Sequence, residues 1–367
     1  MNRNIANGKR VLFIATVDRH IEAFHLPLIK LLAEQGYKVD VASNGNLEFP
    51  FVQQKFNVPF TRNPLTLSNV KSYNIIKKIM GTYNYDIVHC HTPVGATVGR
   101  LAAKRSNAKI LYTAHGFHFY KGAPIKNWIL FYPIEKYLSK YTDLLITINT
   151  EDYSIAKRKF KSIKTIYLNG VGIEIDRMRK VECPKNLREE LQLKDTDKII
   201  LSVGELNDNK NHKLVIKALS EIALKNIVYI IAGEGPLKEE IQSISKQYGI
   251  ENQVKLLGYR SDIFSLMKQS DLFVFPSKRE GLPVSVMEAM ACDMIIIVSD
   301  IRGNRDLIEN PNMRFETNDY GKLKEMILDV FSNYEKYKKL SQDINSKISN
   351  YSIDNINQQL LDSYREL

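Results

Sequence analysis

The chain has 367 residues, 44% of them hydrophobic and 25% charged, a balance ordinary for a soluble globular protein, and its length exceeds what one core sustains, which predicts two domains. No apolar run approaches about 18 residues, which excludes a transmembrane helix, and the polar start MNRNIANGKR leads straight into a strand, which argues against a signal peptide. The net charge of +11 is unevenly spread: residues 1–180 hold 27 basic against 12 acidic residues, and the remainder 25 against 29. A basic half attracts nucleic acid, an anionic membrane face or a phosphorylated substrate, and no nucleic-acid motif supports the first. Cys90, Cys183 and Cys292 lack metal-ligand spacing, which fits a reducing cytoplasm.

In chain order, residues 10–16, 38–42, 86–90, 109–113, 144–148 and 165–168 read as strands, with helical patterns between most of them. The charged stretch 171–196, containing Cys183-Pro184, has no strand pattern and reads as a linker. Strands resume at 198–203, 228–232, 254–257, 272–275 and 294–298. This alternation predicts an α/β protein of two Rossmann-like parallel-sheet domains: an N-terminal domain over 1–170, joined by the C-terminal helix 353–367, and a C-terminal domain over 197–352. Parallel sheets bind ligands beyond the carboxyl ends of their strands, so two such domains are expected to face a central cleft, with catalytic residues on strand-end loops.

Those loops carry unusual chemistry. Four of the seven histidines, His89, His91, His115 and His118, follow two N-terminal strands. Zinc is one reading, but the two pairs stand on elements that need not converge, so no metal is expected; hydrogen bonding to a sugar or pyrophosphate, or purely structural roles, are the alternatives. In the second half, Val203 leads into Gly204 and on to Lys210, another strand ends in Gly233-Glu-Gly-Pro236, and a third in Gly258-Tyr-Arg-Ser-Asp262. Glycines there allow close backbone approach to a ligand, though tight turns explain them equally well.

The segment SKREGLPVSVME, residues 277–288, follows the strand at 272–275. Pro283 suits the start of a helix, whose free N–H groups and dipole favour phosphate. Glu288, just over a turn further in, can lean back toward such an anion, and Glu280 stands on the other side of the corner. Two acids around an anion cradle suit the hydroxyls of a nucleotide sugar. A helix with one acid near its dipole and one on its solvated face explains the same spacing.

In this order and spacing, Gly204…Lys210-Asn211, Gly233-Glu-Gly-Pro236, Gly258-Tyr-Arg-Ser-Asp262 and Glu280-Gly-Leu-Pro-Val-Ser-Val-Met-Glu288 resemble the retaining family 4 glycosyltransferases of the GT-B fold. In the first half, Asp18-Arg-His20, Phe24-His25, His89-Cys-His-Thr-Pro93, His115-Gly-Phe-His118 and Asn149-Thr-Glu-Asp152 look like the capsular and exopolysaccharide branch. The resemblance implies that Glu288 binds the donor ribose, Glu280 the transferred sugar, backbone N–H groups around Gly281, Leu282 and Pro283 the diphosphate, and Lys210 its charge. It makes Gly204, Gly233, Arg260 and Arg305 further donor-binding candidates, sets His115 across the cleft near the anomeric centre, and leaves His20, Arg19, His91 and His118 as first-loop or acceptor-side candidates. It implies no cofactor beyond the sugar nucleotide as co-substrate, and a C-terminal helix over 353–367 that crosses back onto the first domain.

Three departures stand out. Glu205 occupies the place where many members carry an arginine, which leaves the departing diphosphate short of positive charge and nominates Arg302, Arg305 or Arg19 to supply it. The first loop lacks paired glycines, so Asp18, Arg19 and His20 are expected to approach the diphosphate by side chain. Asp293 stands where a capping glycine is usual, at a cost in stability.

The expected activity is transfer of a hexose or N-acetylhexosamine, with retention and without metal, from a nucleoside diphosphate, UDP foremost, to a polyprenyl-diphosphate-linked saccharide in capsule, exopolysaccharide or O-antigen assembly. The same fold serves UDP-sugar 2-epimerases, and a non-catalytic nucleotide-sugar or glycan binder is a further alternative. Aromatics and lysines mix over 117–140, as interfacial segments do, so a cytoplasmic protein in peripheral contact with the inner membrane face is expected; a half-buried helix with solvated lysines is the other reading.

Overall fold

The computed structural model describes residues 8–64, 66–183 and 185–367, so the first seven residues of the polar start and Pro184 of the expected linker lie outside the described residues. The chain forms two compact units, one of residues 8–172 with 353–367 and one of residues 173–352. Residues 173–183 and 185–196, expected as linker, belong to the second unit and carry two short helices, Ile175–Arg179 and Leu187–Glu190.

The first unit is built on a seven-stranded sheet: β1 (Arg10–Val17), β2 (Lys38–Asn44), β3 (Gln54–Asn57), β4 (Ile87–His91), β5 (Lys109–Ala114), β6 (Leu144–Thr147) and β7 (Lys164–Tyr167). All pairings are parallel, in the order β3-β2-β1-β4-β5-β6-β7. The central strands are buried throughout, which is why they read as apolar runs rather than alternating ones. The edge strand β3, Gln-Lys-Phe-Asn, is half-buried and polar, and it escapes a hydrophobicity-based reading for that reason.

Two apolar clusters cover the two faces of this sheet. One gathers Leu12, Ile14, Phe60, Val88 and Phe119; the other gathers Val11, Phe13, Leu28 and Ile87 with Ile356, Leu361 and Tyr364. The last three come from the terminal helix Ile353–Arg365, whose apolar residues recur at three- and four-residue spacing and so share one stripe. Burying each such side chain contributes roughly 1.5–3 kcal/mol. A hydrogen bond of 2.6 Å between the Tyr364 hydroxyl and His89 Nδ1 fixes the helix in register on the first unit.

The second unit carries β8 (Lys198–Val203), β9 (Ile227–Ala232), β10 (Val254–Gly258), β11 (Leu272–Phe275), β12 (Ile295–Ser299) and β13 (Arg314–Phe315), again all parallel, in the order β10-β9-β8-β11-β12-β13. β13 spans two residues and offers no periodicity to read. In both sheets the strand order reverses beside the first strand, between β1 and β4 and between β8 and β11. Loops leaving those neighbouring strands diverge and open a crevice at the carboxyl edge.

Asp293 ends the helix Val284–Ala291 in the left-handed region, with φ of 57°. Its N–H donates to Met290 O and that of Met294 to Ala289 O, both at 3.1 Å, so the turn is well bonded despite the unfavourable residue. Asp293→Gly is expected to stabilise the second unit by about 1 kcal/mol, raising its melting midpoint by about 2–4 °C in calorimetry. An unchanged or lower midpoint would show that the aspartate is not strained.

Candidate functional site

In the second unit, β8 and β11 deliver the loops that hold Lys210 and Glu280. The backbone after β8 bends sharply: a Cβ at Gly233 would lie 2.0 Å from Gly204 O, so the ends of β8 and β9 approach each other as only glycine permits. Asn211, itself left-handed at φ 57°, donates from Nδ2 to Pro276 O at 3.2 Å and Thr317 O at 3.0 Å. The Lys278 N–H donates to Asn209 O at 2.8 Å, and Asn209 Nδ2 to Arg279 O at 3.0 Å. These bonds tie the two loops together and set Lys210 Nζ 2.8 Å from Glu280 Oε1, with the ammonium 4.7 Å from the Phe275 ring centroid. Both side chains are about one-fifth exposed, at 20% and 17%, so an incoming ligand can reach them.

The corner itself is braced from β12. A Cβ at Gly303, φ 75°, would lie 2.3 Å from Gly281 O, and buried Arg302 donates from Nε to Glu280 O at 3.0 Å. Pro283 is the N-cap of the helix, one position earlier than a first-turn proline, and Leu282 beside it is buried. The N–H groups of the helix's first turn lack intrahelical acceptors and form an anion-ready end. Glu288 sits half-buried on this helix, and burial raises its carboxyl to about 7 with no cation opposing the shift.

That shift has a stability consequence. A carboxyl raised in the folded state is held protonated below about pH 7 while its unfolded counterpart ionises near 4.5, so stability falls between those values and the full cost is present above 7. Glu288→Gln is expected to remove this slope and to stabilise the second unit by roughly 2–3 kcal/mol at pH 8. Urea denaturation at pH 5 and pH 8 checks it: equal wild-type and variant slopes with pH would refute the assignment.

The candidate cations separate. Arg302 lies against the Glu280 loop, whereas Arg305 donates to Asp300 Oδ1 at 2.8 Å and Arg260 is held by Glu190 at 2.5 Å and Asp262 at 2.7 Å. All three are engaged by protein groups. Glu205 is exposed, and Arg19 is exposed on the first unit.

In the first unit, β1 and β4 are the neighbours whose loops diverge, and β5 lies beside β4. Asp18 is not free to approach a ligand: it accepts from Ser43 Oγ at 2.6 Å and Leu47 N at 2.9 Å and pairs with Lys55 at 2.9 Å. It anchors the loop after β2, correcting the expectation that it meets a diphosphate. Thr92, after β4, has φ 62° and ψ 150°, a costly conformation for a β-branched residue. Its Oγ1 lies 2.7 Å from Thr16 Oγ1 and accepts from Thr16 N at 2.9 Å, which holds the strained turn against β1.

The strand ends bring together His20, His25, His91 and His115. His20 Nε2 is 3.3 Å from His115 Nε2, which is 3.5 Å from His91 Nδ1, and the His25 and His91 rings have centroids 3.8 Å apart. Burial pushes His20 down to about 4 and the other three well below the ordinary histidine range, and neighbouring histidines lower those three further. His89 turns elsewhere, to Tyr364 and Thr113, and His118 packs its ring 4.4 Å from Phe131. Asn149 and Asp152 support the His115 loop: Asn149 caps the helix Thr150–Lys159, and Asp152 Oδ2 accepts from the Phe117 N–H at 2.8 Å.

Beside the histidines lies a cavity of about 440 Å³, lined by Thr16, His20, Arg62, Thr92, Tyr112, Phe117, His118, Phe131 and Glu135. It is mostly apolar with a few convergent polar groups, the usual character of a small-molecule site. Behind it, buried Arg100 pairs with Glu135 at 2.7 Å. Neither His25 nor the Arg100–Glu135 pair emerges from the sequence as a site residue. His25 lies five positions past His20 across a helix break, a spacing that signals nothing until the turn at His25 is seen.

Two family descriptions account for most of the chain: "Glycosyl transferase 4-like" matches residues 10–149 and "Glycosyl transferases group 1" matches residues 185–347. EpsD of Bacillus subtilis (strain 168), itself assigned as a glycosyltransferase, is 44% identical over 82% of this chain and 81% of its own length. The chain belongs to the family 4 glycosyltransferases. An Escherichia coli relative, UDP-Gal:alpha-D-GlcNAc-diphosphoundecaprenol alpha-1,3-galactosyltransferase, is 29% identical over 70% of this chain and 68% of its own. Among solved structures, Anabaena HepE in complex with UDP and glucose superposes with a TM-score of 0.79 at 19% identity, covering 98% of this chain and all of that one. Sucrose-phosphate synthase from Thermosynechococcus elongatus superposes at 0.82 and 17% identity, covering 98% of each chain. The two parallel-sheet units of this glycosyltransferase are those of the GT-B fold.

Proposed function

We propose that this glycosyltransferase moves a hexose or N-acetylhexosamine, with retention, from a UDP-sugar to a saccharide carried on a polyprenyl diphosphate, in capsule, exopolysaccharide or O-antigen assembly. The observation that carries the reading is the Lys210–Glu280 pair at the β8–β11 crevice, beside the open end of a helix that bears Glu288. In this reading the diphosphate takes the helix N–H groups and draws Lys210 from Glu280, freeing the carboxylate for the sugar hydroxyls. Glu288, raised to about 7 by burial, accepts from or donates to the ribose hydroxyls. In this reading Lys210 and the helix N–H groups meet the charge of the departing diphosphate, with no metal. Its freed oxygen takes the acceptor's proton on the face it leaves, which gives retention without a dedicated base. His118 lines the first-unit cavity, which would take the acceptor.

The relatives named for diphosphoundecaprenol-linked substrates support a lipid-linked acceptor. So does the helix Ile125–Ser139, where Ile125 and Ile129 are 74% and 70% exposed one turn apart, among exposed Lys126, Lys136 and Lys140. Among the described residues no helix is long and apolar enough to cross a membrane, so contact would be peripheral. Vesicles containing anionic lipid are expected to bind the protein at low salt and Ile125→Ser/Ile129→Ser to weaken binding; retention of full binding by the variant would remove this helix from the membrane contact.

A thermal-shift screen of sugar nucleotides tests the donor, since a ligand at 100 times its dissociation constant adds about 2.7 kcal/mol. The donor so found is then offered with a polyprenyl-diphosphate-linked GlcNAc. No shift with any sugar nucleotide, or epimerisation of the donor without acceptor, would overturn the reading.

A further inference from the structure

We infer that His20, His25, His91 and His115 form a site for one divalent transition ion of the zinc class, a site separate in its chemistry from sugar transfer. One ring nitrogen from each residue lies within 4.8 Å of the others. A tetrahedral zinc ion with nitrogens at about 2.0–2.1 Å sets them about 3.3 Å apart along each edge. Two of the contacts, His20 to His115 at 3.3 Å and His115 to His91 at 3.5 Å, already match that edge, and they exceed ordinary N–H···N hydrogen-bond lengths. Bringing the widest pair to the same spacing asks for a closing of about 1.5 Å, within reach of side-chain rotation.

The second observation is an unmet demand. His25 Nε2 is buried without a hydrogen-bond partner, in a side chain 5% exposed, while His91 meets the cluster through Nδ1. An orphaned buried nitrogen is costly, and this one, in a cluster of four rings, asks for an occupant. The chemistry of the donor set selects which. Four imidazoles, with no carboxylate or thiolate among them, suit zinc, nickel or copper. Four protein ligands leave no coordination position for substrate, which describes a structural site. Such an ion would clamp the ends of β1, β4 and β5 and the strained Thr92 turn between them. His20 and His115 are only half-buried, which gives the ion a way in.

The test uses the full chain freed of metal by a chelator, titrated with zinc against a chromophoric chelator and with cobalt by absorption. One equivalent of zinc is expected, with the intense cobalt bands of tetrahedral nitrogen coordination, and zinc should raise the melting midpoint of the wild type. His25→Gln and His20→Gln should each weaken zinc at least tenfold; His20, half-buried where His25 is buried, guards against a variant that fails to fold. Zinc bound equally well by folded His20→Gln and His25→Gln, no zinc bound by the wild type, or octahedral cobalt would overturn the assignment. So would binding of inorganic pyrophosphate, in place of zinc, that the same substitutions abolish.

Discussion

Glu280→Gln is expected to lower sugar transfer about 10²–10³-fold while leaving nucleotide affinity within a few-fold of wild type. The substitution keeps the shape of the side chain and removes its charge. That charge is held by Lys210 at 2.8 Å, on loops tied by Asn209 and Asn211, so the geometry survives the change. In the proposed reaction, what is lost is the negative charge beside a reacting carbon that becomes positive as the diphosphate leaves, an interaction stronger in the transition state than in the ground state. The loss therefore falls on turnover rather than on binding. Lys210→Ala should behave differently, because in the proposed reaction the ammonium meets the diphosphate both before and during departure, so nucleotide affinity and turnover should fall together. Steady-state kinetics and isothermal titration with the donor nucleotide separate the two signatures. Full transfer by either variant would remove that residue from the reaction.

Most of the sheet architecture is legible because buried parallel strands are short apolar runs bounded by glycine, proline or charge, as in the Leu272–Phe275 strand that ends at Pro276. β3 and β13 are not legible: one is a polar edge strand and the other is two residues long, and both owe their place to the neighbour they pair with rather than to their own sequence. The corner at 280–288 is legible because its chemistry is local, with acid, glycine and proline all within one turn of the chain. The places of the arginines needed the structure: Arg302 donates to Glu280 O, Arg305 to Asp300 and Arg260 to Asp262. The histidines are the sharpest case. The sequence pairs His89 with His91 and His115 with His118, and His89 and His91, two apart on β4, do share a face, their ring centroids 4.1 Å apart. What separates them is their partners: His89 gives both ring nitrogens to Tyr364 and Thr113, while His91 meets His115, His20 and His25. No spacing within one strand could reveal a cluster drawn from three strand ends.

Glu135→Ala is expected to destabilise the first unit by about 3–5 kcal/mol, enough to deplete the folded protein at 37 °C. Arg100 and Glu135 pair at 2.7 Å with side chains 1% and 9% exposed, on the helices Pro93–Ala103 and Ile125–Ser139. Burial acts to lower the pKa of Arg100, but Glu135 and Tyr112 more than offset it, so the guanidinium stays charged. Removing Glu135 leaves that charge in the interior with only Ala96 O, at 3.1 Å from Nε, and the Tyr112 ring, at 4.0 Å, to replace it. An arginine cannot relieve the penalty by releasing its proton, as a lysine can. The double substitution Arg100→Met/Glu135→Leu removes both charges and fills similar volume, and it should recover most of the loss, because desolvation of the pair offsets much of its attraction. Denaturant unfolding of the two single variants and the double variant measures this as a cycle. Glu135 also lines the cavity beside the histidines, so the double variant separates two roles: recovered stability with recovered transfer makes the pair a brace for the helix Ile125–Ser139, whereas recovered stability with lost transfer makes Glu135 part of the acceptor site.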